Sequence, residues 1–127
     1  MRNLVALILG MLVCAAQAQD WEDRQLFESP DAKQALRILS STDSSFFAPI
    51  IQDFQLQNPE VTVEYLVTGT TDLNRVFRED PDAFDLVISS AMDLQLKLAN
   101  DGFALSIPDV PVPSWAQWRQ SLFAFTS

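Results

Sequence analysis

Three clusters of small polar residues recur in the sequence, each after an apolar run and each before a helical pattern. They are Ser40-Ser41-Thr42, Gly69-Thr70-Thr71 and Ser89-Ser90-Ala91. Hydroxyl groups donate and accept hydrogen bonds, and the first backbone N–H groups of a helix have no partner within it. Helix starts also carry a partial positive charge. The chemistry that these junctions favour is therefore the binding of an anionic or strongly polar ligand.

The same residue types also suit a purely structural role, because Ser, Thr, Asp and Gly are the usual residues at helix starts. Capping alone remains an alternative for each single junction. Three junctions at one edge of a sheet favour binding, and Gly69 allows a ligand to approach the backbone closely. The candidate ligand-binding residues are Ser41, Thr42, Gly69, Thr70, Thr71, Ser89, Ser90 and Ala91.

Catalysis has little support in the sequence. The chain has no histidine and a single cysteine, Cys14, so Ser–His and Cys–His pairs and histidine metal ligands are excluded. Its three glycines, Gly10, Gly69 and Gly102, exclude the glycine-rich dinucleotide and P-loop motifs. We expect no enzyme activity, no cofactor and no resident metal; an exported carboxylate-dependent hydrolase is the least favoured alternative.

The elements that must position these residues alternate between strand and helix. Strands are predicted at 35–39, 61–67, 84–88 and 122–125, and helices at about 43–58, 71–79 and 93–98. Asp43 or Ser44 could cap the first helix, and Thr71 or Asp72 the second. The nearly apolar run at 84–88 predicts a strand covered on both faces, with Asp85 in a structural role. Tyr65 is expected at a core or face position. Right-handed crossovers make this an open, mostly parallel α/β sheet with helices on both faces and all three junctions at its carboxyl edge.

Residues 1–18 have the pattern of a cleaved secretory signal peptide. Arg2 is followed by an apolar run of ten residues at 4–13 and by Ala16-Gln17-Ala18, a small-x-small cleavage site. A membrane span needs about 20 apolar residues, so an anchor is disfavoured. A lipid-modified Cys14 is disfavoured because the residue before it, Val13, is not small. We therefore expect an exported chain that begins near Gln19.

The remaining chain is strongly acidic. Without Arg2 it carries seven basic and 17 acidic residues, a net charge of −10, which argues against nucleic acid and anionic membrane surfaces as partners. Residues 19–35 are polar and acidic, and we interpret them as a leader that is either flexible or a short docked helix. An exported chain without cysteine cannot rely on disulfides, so a packed core must stabilise the fold.

From about residue 36 onward the chain resembles the first lobe of bacterial ABC-transporter solute-binding proteins, in the group that includes ferric-iron and phosphoglycerate-type binders. The most specific block is Asp85-Leu86-Val87-Ile88-Ser89-Ser90-Ala91-Met92-Asp93, and weaker matches lie at 38–43, 47–51, 63–65, 69–73 and 100–104. The resemblance implies a type II periplasmic-binding-protein fold, with 36–127 as a partial N-terminal lobe and the second lobe absent. It also implies an inner-membrane ABC permease as partner and a small solute, an anion or a metal–anion complex, as ligand.

A second function of another class fits the same lobe. A periplasmic sensory protein, whose loaded form acts on a membrane sensor kinase, would use the same junctions and the same sheet edge. The sequence alone does not choose between transport and sensing.

Overall fold

The computed structural model describes residues 19–107, 109, 111 and 114. Its elements, in chain order, are β1 (Asp23–Phe27), β2 (Gln34–Ser40), α1 (Ser44–Gln57), β3 (Val61–Val67), α2 (Thr70–Glu79), a 3₁₀ turn (Pro81–Ala83), β4 (Leu86–Ile88) and α3 (Met92–Asn100). The predicted signal peptide at 1–18 and the predicted strand at 122–125 lie outside the described residues. Within this part of the chain no helix is long and apolar enough to cross a membrane.

The four strands form one sheet in the order β1-β3-β2-β4. Strand β2 pairs in parallel with β3 on one side and with β4 on the other. The alternation predicted from the sequence is confirmed for these three strands and the helices between them. Strand β1 is the exception, because it runs antiparallel to β3.

The interpretation of residues 19–35 as a flexible leader or short helix is wrong. Residues 23–27 form β1, which pairs with β3 from Asp23 opposite Val67 to Phe27 opposite Val63. Phe27 is buried in the core while Leu26 is 51% exposed. The backbone of an edge strand can pair with its neighbour without apolar side chains. The polar sequence of β1 therefore shows no strand pattern.

The core consists of two clusters, one on each face of the sheet, and neighbouring residues of β2 belong to different clusters. Its residue Ile38 packs with Ile51 of α1 and with Tyr65 of β3 on one face. The next residue, Leu39, points the other way and packs with Leu73 of α2 and Leu98 of α3. Helices therefore cover both faces, as predicted.

Strand β4 is shorter and more open than the sequence indicates. It spans three residues, and Leu86 at its start is 46% exposed, so the prediction of a strand covered on both faces is wrong. Among the strands that the structure describes, β4 stands last in the sheet order and pairs only with β2. The structural role predicted for Asp85 is confirmed: its carboxylate accepts a hydrogen bond of 2.8 Å from the Arg37 N–H, and its own N–H donates to the Arg37 carbonyl.

An ionic cluster links the three strands β1, β3 and β2. Glu64, whose side chain is 14% exposed, pairs with Arg24 and Arg37 at 2.6 Å each. Burial raises the pKa of Glu64, but hydrogen bonds from Arg37 and Arg24 outweigh that effect and hold the pKa below its usual range. Glu64 is therefore charged in the folded protein at every pH above its ordinary pKa.

The substitution E64Q should lower the free energy of unfolding by about 1–2 kcal/mol at pH 7, because the negative charge is lost and the amide NH2 group that replaces one carboxylate oxygen cannot accept a hydrogen bond from the arginine beside it. A carboxylate with a lowered pKa contributes stability above its unfolded pKa and loses it on acidification. The difference from wild type should therefore shrink as the pH falls below 4.5. Urea unfolding at pH 7 and pH 3 measures both effects.

The matched control is E79Q, which removes the exposed pair between Glu79 and Arg75 on α2. Exposed pairs of this kind contribute little, so E79Q should unfold like wild type. Equal stability of E64Q and wild type at pH 7 would contradict the structural role of the cluster.

Candidate ligand-binding site

The three junctions follow the ends of three adjacent parallel strands. Ser40, the last residue of β2, is in register with Val67 at the end of β3 and with Ile88 at the end of β4. The chain then enters α1, α2 and α3 through the residues of the three junctions. The candidate residues Ser41, Thr42, Gly69, Thr70, Thr71, Ser89, Ser90 and Ala91 therefore lie along one edge, here called the rim.

Hydrogen bonds connect the first and third junctions directly. The hydroxyl oxygens of Ser41 and Ser89 are 3.4 Å apart, and the Ser90 N–H donates to Ser41 Oγ at 3.3 Å. The Ala91 N–H donates to Ser89 Oγ at 3.0 Å. Thr68, the residue before the second junction, is joined to the first junction through the backbone, since its N–H donates to the Ser40 carbonyl at 3.0 Å.

Side-chain capping does not account for the polar residues at the helix starts. Among the described residues, the N-cap positions Asp43, Gly69 and Ala91 make no side-chain capping bond to their helices. The capping roles predicted for Asp43 or Ser44 and for Thr71 or Asp72 are therefore wrong, because α1 begins at Ser44 and α2 begins at Thr70. Some amides of the first turns already have acceptors: the Phe46 N–H donates to the Asp43 carbonyl, the Asp72 N–H to the Gly69 carbonyl and the Met92 N–H to the Ser90 carbonyl. The other amides at the helix starts have no intrahelical acceptor and can donate to other groups.

Two acidic residues that sequence reasoning missed also lie at the rim. A Cβ atom built on Gly69 would lie 3.1 Å from Glu22 Oε1, and the Ser44 hydroxyl donates to the Asp23 carboxylate at the start of α1. They reach this edge because β1 runs antiparallel, which brings its first residues beside the end of β3. The only available signal was the acidic character of the segment before β1.

Tyr65 lies directly beneath the first junction. Its ring is fully buried in β3, and its hydroxyl group is 2.7 Å from Ser40 Oγ and 3.0 Å from the Thr42 carbonyl oxygen. Burial raises the pKa of Tyr65; the hydrogen bond with Ser40 opposes the shift, and the charges of Asp43 and Asp23 add to it. The sequence predicted a core or face position for Tyr65, and the structure places it in the core; the hydroxyl contacts were not predicted.

The described part of the chain contains no group of three or more histidine, cysteine, aspartate or glutamate side chains that could hold a metal ion. Asp93 lies in the first turn of α3 and is exposed. At that position a carboxylate complements the helix dipole.

Fold and rim together define an open α/β lobe whose polar residues collect at the carboxyl edge of its parallel strands, where such folds bind ligands. The structure is similar to the crystal structure of the substrate-binding protein of an ABC transporter from Agrobacterium tumefaciens. The TM-score is 0.65 at 36% sequence identity, over 76% of this chain and 32% of that chain.

The similarity confirms the predicted fold class, an open α/β lobe of the periplasmic-binding-protein type, and supports the general class of ABC-transporter solute-binding proteins. The chain spans about a third of the length of that structure. No protein-family model matches the chain, and no curated protein matches it.

Gly69 should tolerate substitution, in contrast to Gly102. Gly69 has an ordinary φ of −57°, and the nearest atoms to an added Cβ are the ends of the Glu22 and Asp72 side chains, which can move. We expect G69A to change the free energy of unfolding by less than about 0.5 kcal/mol.

The matched control is G102A, because Gly102 follows α3 with a φ of +88° that disfavours residues with a Cβ atom. G102A should cost about 1 kcal/mol, measured by urea unfolding alongside G69A. The reverse order of stabilities would mean that the backbone at the rim differs from the one described.

Proposed function

We propose that this protein is the solute-binding component of an ABC importer and that the rim is one wall of its ligand cleft. The observation that carries the proposal is the meeting of three polar junctions at the carboxyl edge of a lobe similar to a transporter's substrate-binding protein. The lobe would bind a solute and deliver it to an inner-membrane permease. Export to the periplasm through the signal at 1–18 belongs to the same proposal.

The proposed ligand is a small anion or a metal–anion complex, as in ferric-iron and phosphoglycerate-type binders. The rim offers amide donors from three helix starts and neutral hydroxyl groups, and both suit anionic oxygen atoms. Glu22 and Asp23 oppose a bare anion, because like charges at short range repel. A complex in which a cation offsets that charge fits the rim better, so we favour the metal–anion complex of the two.

Energetics favour a ligand held between two lobes. Three hydrogen bonds to a charged ligand are worth about 1.5–3 kcal/mol each, a gross gain of about 5–9 kcal/mol. Association costs an estimated 4–15 kcal/mol in lost freedom, whereas micromolar affinity needs a net of about −8 kcal/mol. A second lobe that closes over the rim would supply the difference, in keeping with a chain that spans about a third of its structural neighbour.

A thermal-shift screen of the whole protein encoded by the gene tests the ligand class. The panel contains inorganic phosphate, 3-phosphoglycerate, ferric citrate, putrescine and glucose. We expect ferric citrate or one of the anions to raise the melting temperature. A rise with putrescine or glucose alone would contradict the proposed ligand class, and no rise with any anion or complex at millimolar concentration would contradict the proposal as a whole.

Substitution at the rim tests the location. The double variant S41A/S89A removes the two hydroxyl groups that connect the first and third junctions, and it should weaken binding of the stabilising ligand at least tenfold. The matched control is S29A, because Ser29 lies near the opposite edge and contacts Pro59 and Thr62. Equal weakening by both variants would place the ligand elsewhere.

A further inference from the structure

We infer that Tyr65 is the positioning residue of the rim: its buried hydroxyl group holds the turn between β2 and α1 in the shape that presents Ser41 and Thr42. The inference rests on the proposed function only for what the turn presents to a ligand. The geometry of the turn itself is independent of any ligand.

The argument begins with a closed ring of hydrogen bonds around the hydroxyl group. The Thr42 N–H donates to Ser40 Oγ at 3.0 Å, and the Tyr65 hydroxyl contacts both Ser40 Oγ at 2.7 Å and the Thr42 carbonyl at 3.0 Å. A carbonyl oxygen can only accept, so the single tyrosine hydrogen goes to Thr42 and the Ser40 hydroxyl donates to Tyr65. One buried group thus satisfies both ends of the turn.

The base of this ring is rigid. Tyr65 has no exposed surface, and its aromatic ring stacks on Phe47 of α1 with centroids 5.5 Å apart. It belongs to the same core cluster as Ile38 and Ile51. Ser40 is also fully buried. Buried polar networks that are fully satisfied are rigid and favour a single conformation, so the ring fixes the turn relative to the sheet.

The turn between β2 and α1 determines where Ser41 lies. In the sequence Ser41 lies between Ser40 and Thr42, the two residues that the tyrosine hydroxyl contacts. Its own hydroxyl group contacts the Ser89 hydroxyl and accepts a hydrogen bond from the Ser90 N–H of the third junction. Loss of the Tyr65 hydroxyl would leave the Thr42 carbonyl without that donor and would shift Ser41 away from Ser89. A side chain in the core thereby controls two of the three junctions.

Amide hydrogen exchange on the full chain tests this inference without a ligand. In Y65F, exchange of the Thr42 and Ser90 amides should accelerate about tenfold more than that of core amides in β3 such as Leu66. The control V63A removes buried apolar contacts on the same strand and should accelerate all of these amides alike. A uniform acceleration in Y65F, like that in V63A, would overturn the inference.

If Y65F does not fold, S40A carries the test, because it breaks the same ring and leaves the tyrosine in place. The expected pattern is again selective acceleration at Thr42 and Ser90. Uniform acceleration in S40A would overturn the inference in the same way.

The alkaline limb of the stability curve gives a second readout. The charged groups facing the hydroxyl are Asp43 and Asp23, both acidic, and with burial they keep the pKa of Tyr65 above its usual value of 10.0. In the unfolded chain Tyr65 loses its proton at a lower pH than in the folded protein. The free energy of unfolding of wild type should therefore fall as the pH rises from 10 through the raised pKa. Y65F has no tyrosine hydroxyl to titrate at this position. The difference in free energy of unfolding between wild type and Y65F should therefore become smaller between pH 9 and 11. A constant deficit would mean that the hydroxyl group is not buried as described.

Binding by the whole protein separates this inference from the proposed function. With ferric citrate as probe, Y65F should bind at least fivefold more weakly than V63A. Equal binding by Y65F and wild type would overturn the positioning role even if the exchange pattern is selective. If wild type itself does not bind ferric citrate, that ligand is wrong, and the exchange experiment still decides the role of Tyr65.

Discussion

Strand β2 pairs in parallel with β3 on one side and with β4 on the other, and this pairing determines where the polar junctions lie. Because Ser40 is in register with both Val67 and Ile88, all three strands end at the same level. Each chain segment must then turn back over the sheet as a helix, α1 over one face and α2 and α3 over the other. A one-residue slip of β2 would exchange Ile38 and Leu39 between the two cores, so the packing fixes the register that forms the rim.

The electrostatic character of the rim follows from the antiparallel strand at its side. Helix starts and hydroxyl groups alone would favour negative charge, but β1 adds the Glu22 and Asp23 carboxylates next to α2 and α1. The 127 residues carry a formal charge of −9, so the field of this lobe also opposes a bare anion. Under the proposed function, a solute that pairs an anionic group with a cation would match both parts of this surface.

The sequence was sufficient for the elements whose side chains carry a clear pattern. Alternation at 61–67 predicted β3, and the spacing of Leu73, Val76 and Phe77 predicted the buried face of α2. Strand β1 was not predicted, because its sequence, DRQLF, has only two apolar residues and the strand pairs through its backbone. Glu22 and Asp23 were missed with it. The hydrogen bonds of the Tyr65 hydroxyl depend on how two strands and a turn pack against each other. No local sequence pattern predicts such contacts.

The central claim is that three junctions, distant along the chain, form one surface for a single solute. Its most direct test is a titration of the isotope-labelled whole protein with the stabilising ligand, followed by amide chemical shifts. The account predicts that the Thr42, Thr70 and Ser90 signals shift together with one dissociation constant, while Ser29 at the opposite edge stays unchanged. Shifts confined to a single junction, or centred on Ser29, would contradict it.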